Sequence, residues 1–323
     1  MAMEGNRRDF LRWAGAGSAA LALGGVAEMR PAAASADTVP KRRFGKTDVE
    51  LSIIGFGGMS MRNVEQDRIN RLVAESVEQG INFVDVSPRY GNAEELAGPA
   101  VEPYRDDIFL STKTALRDEA GAREEFEQSL ERLRTDHLDL YQLHNLQDIE
   151  DDVEAAFASG GAMEVLLEAK EAGKVQYLGF SAHTEEAALR AMELYDFDSA
   201  MFPINFVSEY QGGFGPRLIE KAREKEMAIF ALKPMVRQRG ESDSEIRQMF
   251  SRLWYEPLYE PELASLGLRW TLSKPGVTSA MPPGDPDLYE LAVQLAKDYT
   301  PLTEDEEEEM LAMAQDYNPL FRV

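Results

Sequence analysis

From Leu51 onward, short apolar runs alternate with longer segments in which apolar residues recur at helical spacing. Short runs rich in β-branched and apolar residues are typical of buried strands, and helical spacing is typical of amphipathic helices. The predicted strands are Ser52–Gly57, Asn82–Val86, Ile108–Thr112, Leu138–Leu143, Tyr177–Ser181, Ala200–Ile204, Ala228–Leu232 and Ser279–Met281. The predicted helices include Asp67–Gln79, Ala122–Leu133, Ala162–Ala172, Glu185–Tyr195, Pro216–Lys225, Pro261–Leu272 and Pro286–Lys297.

This alternation amounts to eight strand–helix units, and no linker rich in proline or serine separates them. Eight such units in a chain of 323 residues predict one closed (β/α)8 TIM barrel rather than two average domains. An open, doubly wound sheet is the alternative, but units of even size favour closure. The acidic run Glu304–Glu309 predicts the start of an extra C-terminal helix with a solvated face.

The N-terminus has the features of a secretory signal. Arg7 and Arg8 precede a hydrophobic pair and a further arginine, and the apolar stretch Trp13–Ala27 follows. That stretch is 15 residues long, whereas a helix that spans a bilayer needs about 20. Ala34–Ala36 supplies the small residues typical of a cleavage site. Together these elements resemble a twin-arginine export signal.

This resemblance implies that residues 1–36 are a signal peptide, cleaved near Ala36, and that residues 37–323 form the barrel. It also implies the twin-arginine translocation machinery as a partner and a periplasmic or extracellular location, with no stable membrane anchor. A disordered tail with a chance pair of arginines is the alternative, but three signal elements in the right order favour export.

Composition excludes several classes of function. With 58 acidic and 34 basic residues the net charge is −24, which repels phosphate backbones and anionic lipid, so we expect no nucleic-acid partner. The absence of cysteine excludes a thiolate nucleophile, cysteine-bound zinc and an iron–sulfur cluster. The three histidines have no metal-ligand spacing, so we expect no metal.

Ionisable side chains follow three successive predicted strands. Asp85 and Tyr90 lie at the end of the second strand, Lys113 at the end of the third and His144 at the end of the fourth. In a (β/α)8 barrel these ends meet at one mouth, where the active sites of such enzymes lie. Lysine and aspartate are rarely buried unless they pair, so the combination indicates a catalytic site.

The blocks around these residues resemble the signatures of the aldo/keto reductase superfamily, and the likeness runs from about Val39 to about Lys297. They are Gly80–Asp85 with Tyr90-Gly91, Thr112-Lys113, Asp139–His144 and Gly173–Ser181. The resemblance implies a barrel that reduces a carbonyl or oxidises an alcohol with NAD(H) or NADP(H). The family's catalytic tetrad falls on Asp85, Tyr90, Lys113 and His144.

The chemistry of this tetrad can be argued from its residue types. A free tyrosine, with a pKa of about 10, holds its proton too tightly to shuttle it well near neutral pH. We expect the Lys113 ammonium to lower the pKa of Tyr90, the general acid, and Asp85 to keep Lys113 charged and oriented. His144 is expected to donate a hydrogen bond to the carbonyl oxygen of the substrate.

The resemblance also implies a dinucleotide extended across the mouth. Ser181 matches the serine that holds the nicotinamide carboxamide, while Ala182 replaces the asparagine that normally follows it. Asn205 is the candidate substitute for a glutamine after strand six. Leu232 takes the position of the aromatic residue that stacks on the nicotinamide, and Lys233 follows it as a further cofactor candidate.

The loop after the eighth strand departs from the family pattern. Gly284 is the candidate for its phosphate loop, but Asp285 and Asp287 stand where a cation normally grips the 2′-phosphate. Carboxylates repel a 2′-phosphate, whereas an acidic residue can accept a hydrogen bond from a ribose 2′-hydroxyl. The sequence therefore predicts a shift towards NAD(H), or weak cofactor binding altogether.

The long segment Val236–Pro261 is interpreted either as a mobile surface loop or as a flap whose Trp254 and Tyr255 shape the substrate pocket.

For the whole chain two functions remain. The intact tetrad favours an exported oxidoreductase acting on a small carbonyl compound. The irregular cofactor residues, such as Leu232 and Asp285, favour an exported ligand-binding or sensory barrel that has lost productive cofactor binding.

Overall fold

Eight parallel strands form a barrel at the centre of the structure, a computed structural model that describes residues 37–323. The predicted signal peptide, residues 1–36, lies outside the described residues. The strands are β1 (Lys41–Arg43), β2 (Glu50–Ser52), β3 (Phe56–Gly57), β4 (Phe83–Asp85), β5 (Phe109–Thr114), β6 (Leu138–Leu146), β7 (Val175–Ala182), β8 (Ser199–Pro203), β9 (Ala228–Leu232), β10 (Val236–Gln238), β11 (Glu256–Pro257) and β12 (Val277–Met281). The barrel consists of β3 to β9 in chain order, followed by β12.

The barrel is closed by pairing between its first and last strands. Ile54 forms a parallel bridge with Ala280, just before β3. The Gly55 N–H donates to the Ala280 carbonyl at 3.0 Å, and the Ala280 N–H donates to the Ile53 carbonyl at 2.8 Å. These bonds satisfy the backbone groups that an open sheet would leave at its edges. The predicted closed (β/α)8 barrel is therefore confirmed, and the open sheet is not formed.

Helices surround the barrel, and most coincide with the predicted segments. They are α1 (Gln66–Glu78), α2 (Ala93–Val101), α3 (Glu119–Leu133), α4 (Ala155–Phe157), α5 (Ala162–Glu171), α6 (Glu185–Leu194), α7 (Phe206–Gly212), α8 (Pro216–Glu224), α9 (Glu245–Met249), α10 (Pro261–Ser273), α11 (Pro286–Lys297) and α12 (Glu304–Ala314). The predicted extra C-terminal helix is α12, where Thr303 and Glu306 form a capping box. Among the described residues, no helix is both long and apolar enough to cross a membrane.

Helix α2 is absent from the predicted helices because it contains Gly98 and Pro99, which both disfavour helix interiors. Its close contact with α3 explains the glycine. A Cβ atom on Gly98 would lie 2.1 Å from the carbonyl oxygen of Arg132, so a larger residue would force the two helices apart. Packing between helices thus overrides local helix propensity here.

The first predicted strand, Ser52–Gly57, is divided in the structure. Its beginning belongs to the antiparallel hairpin β1–β2, and only Phe56–Gly57 pairs with β4. Phe44, in the turn of this hairpin, is fully buried inside the barrel. Its ring lies 5.1 Å from that of Phe109 and 5.8 Å from that of Phe230. Aromatic packing therefore fills the N-terminal end of the barrel, and polar side chains gather at the other end.

Because Phe44 joins the hairpin to the barrel interior, we expect Phe44→Ala to lower the free energy of unfolding by about 3–5 kcal/mol. Denaturant unfolding followed by circular dichroism measures this change. The matched control is Leu311→Ala on the outer face of α12, where the side chain is 45% exposed. We expect that control to change stability by less than about 0.5 kcal/mol. Equal effects of the two substitutions would contradict the role assigned to Phe44.

Candidate active site

The four predicted catalytic residues lie at the C-terminal end of the barrel. Asp85 is the last residue of β4, Lys113 lies in β5 and His144 lies in β6. Tyr90 belongs to the turn between β4 and α2, where its N–H donates to the Ser87 carbonyl at 3.0 Å. Parallel pairing of β4 with β5 and of β5 with β6 therefore brings together residues that are distant in sequence.

A buried ion pair between Lys113 and Asp85 forms the centre of this group. The Lys113 ammonium lies 2.5 Å from each carboxylate oxygen of Asp85 and donates to the Val86 carbonyl at 3.0 Å. The Lys113 side chain is 0% exposed and that of Asp85 is 3% exposed. An ammonium has three protons to donate, so these contacts account for its hydrogen-bonding capacity.

Two further polar side chains hold the Asp85 carboxylate in place. Ser111 donates to Asp85 Oδ1 at 3.1 Å, and the Gln142 amide donates to the same oxygen at 3.0 Å. The Gln142 amide also donates to the Ser111 hydroxyl at 2.7 Å. All three side chains are buried, so this network orients the acid within the barrel.

The structure reverses the expected direction of the Tyr90 pKa. Burial raises this pKa well above the usual tyrosine range, and the nearby Asp85 carboxylate adds to the increase. The Lys113 ammonium lies 5.6 Å from the centre of the Tyr90 ring. It donates its hydrogen bonds to Asp85 and to the Val86 carbonyl instead. The predicted lowering of the Tyr90 pKa by Lys113 is therefore wrong for this structure, because the ion pair is nearly complete in itself.

His144 is presented to the mouth by an irregularity in its strand. The register between β6 and β7 shifts between Leu143 and Leu146, and Asn145 adopts a left-handed conformation with φ of 60°. The N–H of Asn145 donates to the Ser181 hydroxyl at 2.7 Å. Ser181 therefore stabilises the bulge beside His144, a structural role that the sequence did not indicate.

The imidazole and the main chain of His144 are both held by neighbours. The Ser87 hydroxyl lies 3.0 Å from His144 Nδ1, and the Arg117 guanidinium donates to the His144 carbonyl at 2.8 Å. Burial and the charge of Lys113 lower the pKa of His144 well below its usual range. The imidazole is consequently neutral at physiological pH.

A glycine keeps space open for Tyr90. A Cβ atom on Gly58, which follows β3, would lie 3.2 Å from Tyr90 Cδ2 and 3.0 Å from Val86 Cγ1. These distances are tighter than ordinary van der Waals contact, so a larger residue would press on the tyrosine ring. The ring of Tyr90 also meets that of His144 edge to face, with 5.5 Å between centroids.

The predicted cofactor residues divide into two groups. The Ser181 hydroxyl accepts the Asn145 N–H, and its own proton has no acceptor among residues 37–323. Asn205, in contrast, is buried and caps α7, where its carbonyl oxygen accepts the N–H groups of Val207 and Ser208. Its amide donates to the main-chain carbonyls of Lys233, just after β9, and of Val236, in β10. The assignment of Asn205 as a carboxamide ligand is therefore not supported, because capping uses its hydrogen-bonding groups.

The segment after β9 brings aromatic residues to the mouth. Leu232 is half-buried at the end of β9, followed by Lys233, whose ammonium lies 5.8 Å from the Trp254 ring centre and 5.2 Å from that of Tyr255. Trp254 is 46% exposed, whereas Tyr255 is buried. Both predicted substrate residues thus lie beside Lys233, and only Trp254 presents a large accessible surface.

Arg252 fastens this segment to two neighbouring loops. Its guanidinium donates to the Arg62 carbonyl at 2.5 Å and to the Met59 carbonyl at 3.3 Å, both after β3. It also donates to the Gly284 carbonyl, after β12, at 3.4 Å. The segment therefore crosses from the end of β9 to the turns after β3 and β12, and we call residues 250–257 the strap.

The loop after β12 contains the predicted acidic residues at the start of α11. Asp285 is 1% exposed and caps this helix by accepting the Asp287 N–H at 3.0 Å. Asp287 in turn pairs with Arg68 at 2.6 Å, and Glu290 lies 3.2 Å from the same guanidinium. Arg68, the cation near this loop, is therefore already paired with the carboxylates of Asp287 and Glu290.

Sequence reasoning missed the residues that support the tetrad, although strand periodicity contains the signal. Residues two positions apart in a strand face the same side. Ser111 stands two positions before Lys113 in β5, and Gln142 stands two positions before His144 in β6. Ser87 stands two positions after Asp85, just beyond the end of β4. Among the described residues, no group of three or more His, Cys, Asp or Glu side chains could hold a metal ion.

Comparisons with known proteins agree with this architecture. The chain is 34% identical over 156 residues to the uncharacterized oxidoreductase YqkF of Bacillus subtilis, covering 44% of this chain and 48% of that protein. It is 34% identical over 154 residues to the aldo-keto reductase YhdN of the same organism, covering 42% and 44%. The chain thus matches slightly less than half the length of these curated relatives.

Among solved structures, the holo form of the aldo-keto reductase AKR11C1 from Bacillus halodurans superposes with a TM-score of 0.67 at 23% identity. The superposition covers 85% of this chain and 96% of that one, which supports the fold. The model of the twin-arginine translocation pathway signal sequence matches residues 6–24. The model of the aldo/keto reductase family matches residues 53–285, and the chain therefore belongs to the aldo/keto reductase family.

Proposed function

We propose that this protein is an oxidoreductase that transfers hydride between a nicotinamide dinucleotide and a small carbonyl or alcohol substrate, with Tyr90 as general acid and base. The observation that carries the proposal is the buried Lys113–Asp85 ion pair with Tyr90 and His144 beside it at one barrel mouth. Burying two charges is costly, and a purely structural core would be at least as stable with apolar residues. Membership of the family supports the same reaction class.

The residues around the mouth fit a nicotinamide ring. The Ser181 hydroxyl has a proton to donate to a carboxamide, and Leu232 offers an apolar surface to one face of the ring. When bound, the dinucleotide supplies or accepts the hydride. Gly284 and the start of α11, with Asp285 and Asp287, are the residues that would hold the adenosine end.

Tyr90 handles the proton of the reaction. Burial and Asp85 raise the pKa of Tyr90, so its hydroxyl is protonated at neutral pH and can donate to a carbonyl oxygen as negative charge develops there. The Lys113 ammonium lies 5.6 Å from the centre of the Tyr90 ring, where its charge favours the resulting phenolate. Asp85 keeps that ammonium charged, although burial alone lowers the pKa of Lys113.

His144 orients the substrate through one defined tautomer. The Ser87 hydroxyl accepts the Arg89 N–H at 3.2 Å and has no proton acceptor other than His144 Nδ1 among residues 37–323. Its proton is therefore directed to Nδ1, which leaves the imidazole proton on Nε2. In this state Nε2 donates a hydrogen bond to the carbonyl oxygen.

We also propose that residues 1–36 form a twin-arginine signal, cleaved near Ala36, and that residues 37–323 act outside the inner membrane. The match to the signal model over residues 6–24 supports this assignment. The partner would be the twin-arginine translocation machinery, which carries folded proteins, so the dinucleotide can be bound before export.

The first test replaces the proposed proton donor. We expect Tyr90→Phe to lower kcat for carbonyl reduction by about 10²–10⁴-fold, because it removes general acid catalysis but little binding surface. Fluorescence titration with NADH and NADPH should give dissociation constants within about twofold of wild type. Tyr104→Phe, in the turn Glu102–Asp107 before β5, is the matched control and should retain full activity.

Two outcomes would count against this assignment. Full activity in Tyr90→Phe would exclude Tyr90 as the acid. Failure of the wild-type protein to bind either dinucleotide at millimolar concentration would favour the ligand-binding barrel instead.

The second test concerns cofactor choice. We expect the wild-type protein to bind NADH more tightly than NADPH, because Asp285, Asp287 and Glu290 surround the start of α11. Asp285→Asn retains a helix-capping side chain and removes one charge, so it should shift the affinity ratio towards NADPH by about fivefold. Tighter binding of NADPH by the wild-type protein would contradict the prediction.

The third test addresses the His144 tautomer. We expect Ser87→Ala to lower kcat by about tenfold, since one hydrogen bond that selects the reactive tautomer is lost. Imidazole ¹⁵N chemical shifts should report a proton on Nε2 in wild type and a mixture in the variant. Ser87→Thr keeps the hydroxyl and should preserve both kcat and the shifts. An unchanged ¹⁵N spectrum in Ser87→Ala would exclude the role proposed for Ser87.

A further inference from the structure

Gln142 brings a buried amide to the ion pair of the proposed active site. It lies in β6, two positions before His144, and its Cα pairs in register with that of Lys113 in β5. Its amide nitrogen donates to Asp85 Oδ1 at 3.0 Å and to the Ser111 hydroxyl at 2.7 Å. A carboxylate only accepts hydrogen bonds, so the nitrogen and not the oxygen of the amide faces Asp85. Both amide protons are therefore committed to the group around Asp85.

The other end of this amide contributes nothing to stability. Gln142 is fully buried, and its amide oxygen, Oε1, has no hydrogen-bond partner among residues 37–323. A buried carbonyl oxygen without a partner costs free energy, because water satisfies it in the unfolded chain. Methionine is a flexible, unbranched side chain of similar length and would fill this position without such an atom. The benefit of Gln142 therefore has to come from the two hydrogen bonds that it donates.

The neighbouring strands hold Gln142 closely. Gly179 in β7 pairs in register with Gln142, and a Cβ atom on Gly179 would lie 3.3 Å from Gln142 Cγ. The same atom would overlap the hydroxyl of Ser199, the register partner of Gly179 in β8. A larger residue at position 179 would thus displace both side chains. A side chain packed in this way delivers its hydrogen bonds at a fixed place.

The donated bonds act on the charge that influences the proton donor. Burial raises the pKa of Tyr90, and the negative charge of Asp85 adds to the increase. Asp85 Oδ1 accepts hydrogen bonds from Lys113, Ser111 and Gln142. Each donor places partial positive charge against this oxygen and so reduces the negative potential that reaches the phenol. The phenolate that forms when Tyr90 gives up its proton is then less costly.

From these contacts we propose that Gln142 is a positioning residue of the reaction, which acts on Tyr90 through Asp85 and its ion pair with Lys113. The proposal rests on the proposed function and adds a residue to it. The amide protons of Gln142 go to Asp85 and Ser111 and to no reacting atom. Loss of the amide therefore weakens proton transfer and leaves the binding surfaces of the mouth as they are.

The first experiment removes the amide and keeps the length of the side chain. We expect Gln142→Met to lower kcat for carbonyl reduction and for alcohol oxidation by about tenfold, the effect of one hydrogen bond to a charged group. KM and the dissociation constants of NADH and NADPH should stay within about twofold of wild type, because no binding contact is altered. The free energy of unfolding should change little, since loss of the hydrogen bonds is offset by removal of the unpartnered oxygen.

Ser279→Ala is the matched control. Ser279 is buried in β12, and its hydroxyl has no hydrogen-bond partner in the described part of the chain. This substitution also removes a buried polar group from the barrel, but it takes no donor from Asp85. We therefore expect kcat of Ser279→Ala to stay within about twofold of wild type.

The second experiment places a titratable donor at the same position. In Gln142→Glu the introduced carboxyl group can donate to Asp85 only while it holds its proton, and after ionisation it repels the carboxylate. We expect kcat, divided by the wild-type value at each pH, to fall by at least about tenfold between about pH 6 and about pH 9. The same ratio for Gln142→Met should be low and independent of pH. The wild-type reference accounts for the ionisable groups that all these proteins share around Asp85, namely Lys113, Tyr90, His144 and Glu94.

The outcomes separate this inference from the proposed function. With an active wild-type protein, full activity of Gln142→Met or a Gln142→Glu ratio independent of pH would overturn the inference and leave the reductase intact. If kcat, NADH binding and the free energy of unfolding all fall together in Gln142→Met, the residue is structural only, and the inference is likewise overturned. Absence of turnover of any carbonyl by the wild-type protein would overturn the proposed function and the inference together.

Discussion

The structure of the mouth depends on the ion pair between Lys113 and Asp85. Two charges removed from water are stable only when their geometry is good and their remaining hydrogen bonds are made. Ser111, Gln142 and the Val86 carbonyl provide those bonds. Removal of either charged partner would leave the other uncompensated inside the barrel, at a cost of about 3–5 kcal/mol. The pair therefore couples the stability of this end of the barrel to the presence of the proposed catalytic group.

The two ends of the barrel have different chemistry because different parts of the chain fill them. The hairpin β1–β2 inserts Phe44 into the N-terminal end, where aromatic rings exclude water. The C-terminal end contains the polar network around Asp85 and the left-handed residues Asn145 and Lys233. The apolar layer at the N-terminal end thus supports the polar, strained layer at the C-terminal end, where ligands can reach it.

The fold, and the position of Asp85, Tyr90, Lys113 and His144 at one end of the barrel, could be predicted from the sequence because both depend on local patterns. Alternating strand and helix periods indicate the barrel, and ionisable residues at strand ends indicate the mouth. The pKa of Tyr90 could not be predicted in this way, because it depends on burial and on the hydrogen bonds that the Lys113 ammonium donates to Asp85 and Val86. Asn205 shows the same limit: its residue type suits a carboxamide ligand, but its side chain is used to cap α7. The bulge at Asn145 was equally hidden, since no glycine marks it.

The strap couples the two loops beside the closure of the barrel. Arg252 attaches it through carbonyl groups on both sides of the barrel seam, at Met59, Arg62 and Gly284. Because one guanidinium bonds to both loops, a shift of either loop strains the hydrogen bonds to the other. A substitution at Arg252 would therefore act on the first and the last strand of the barrel at once.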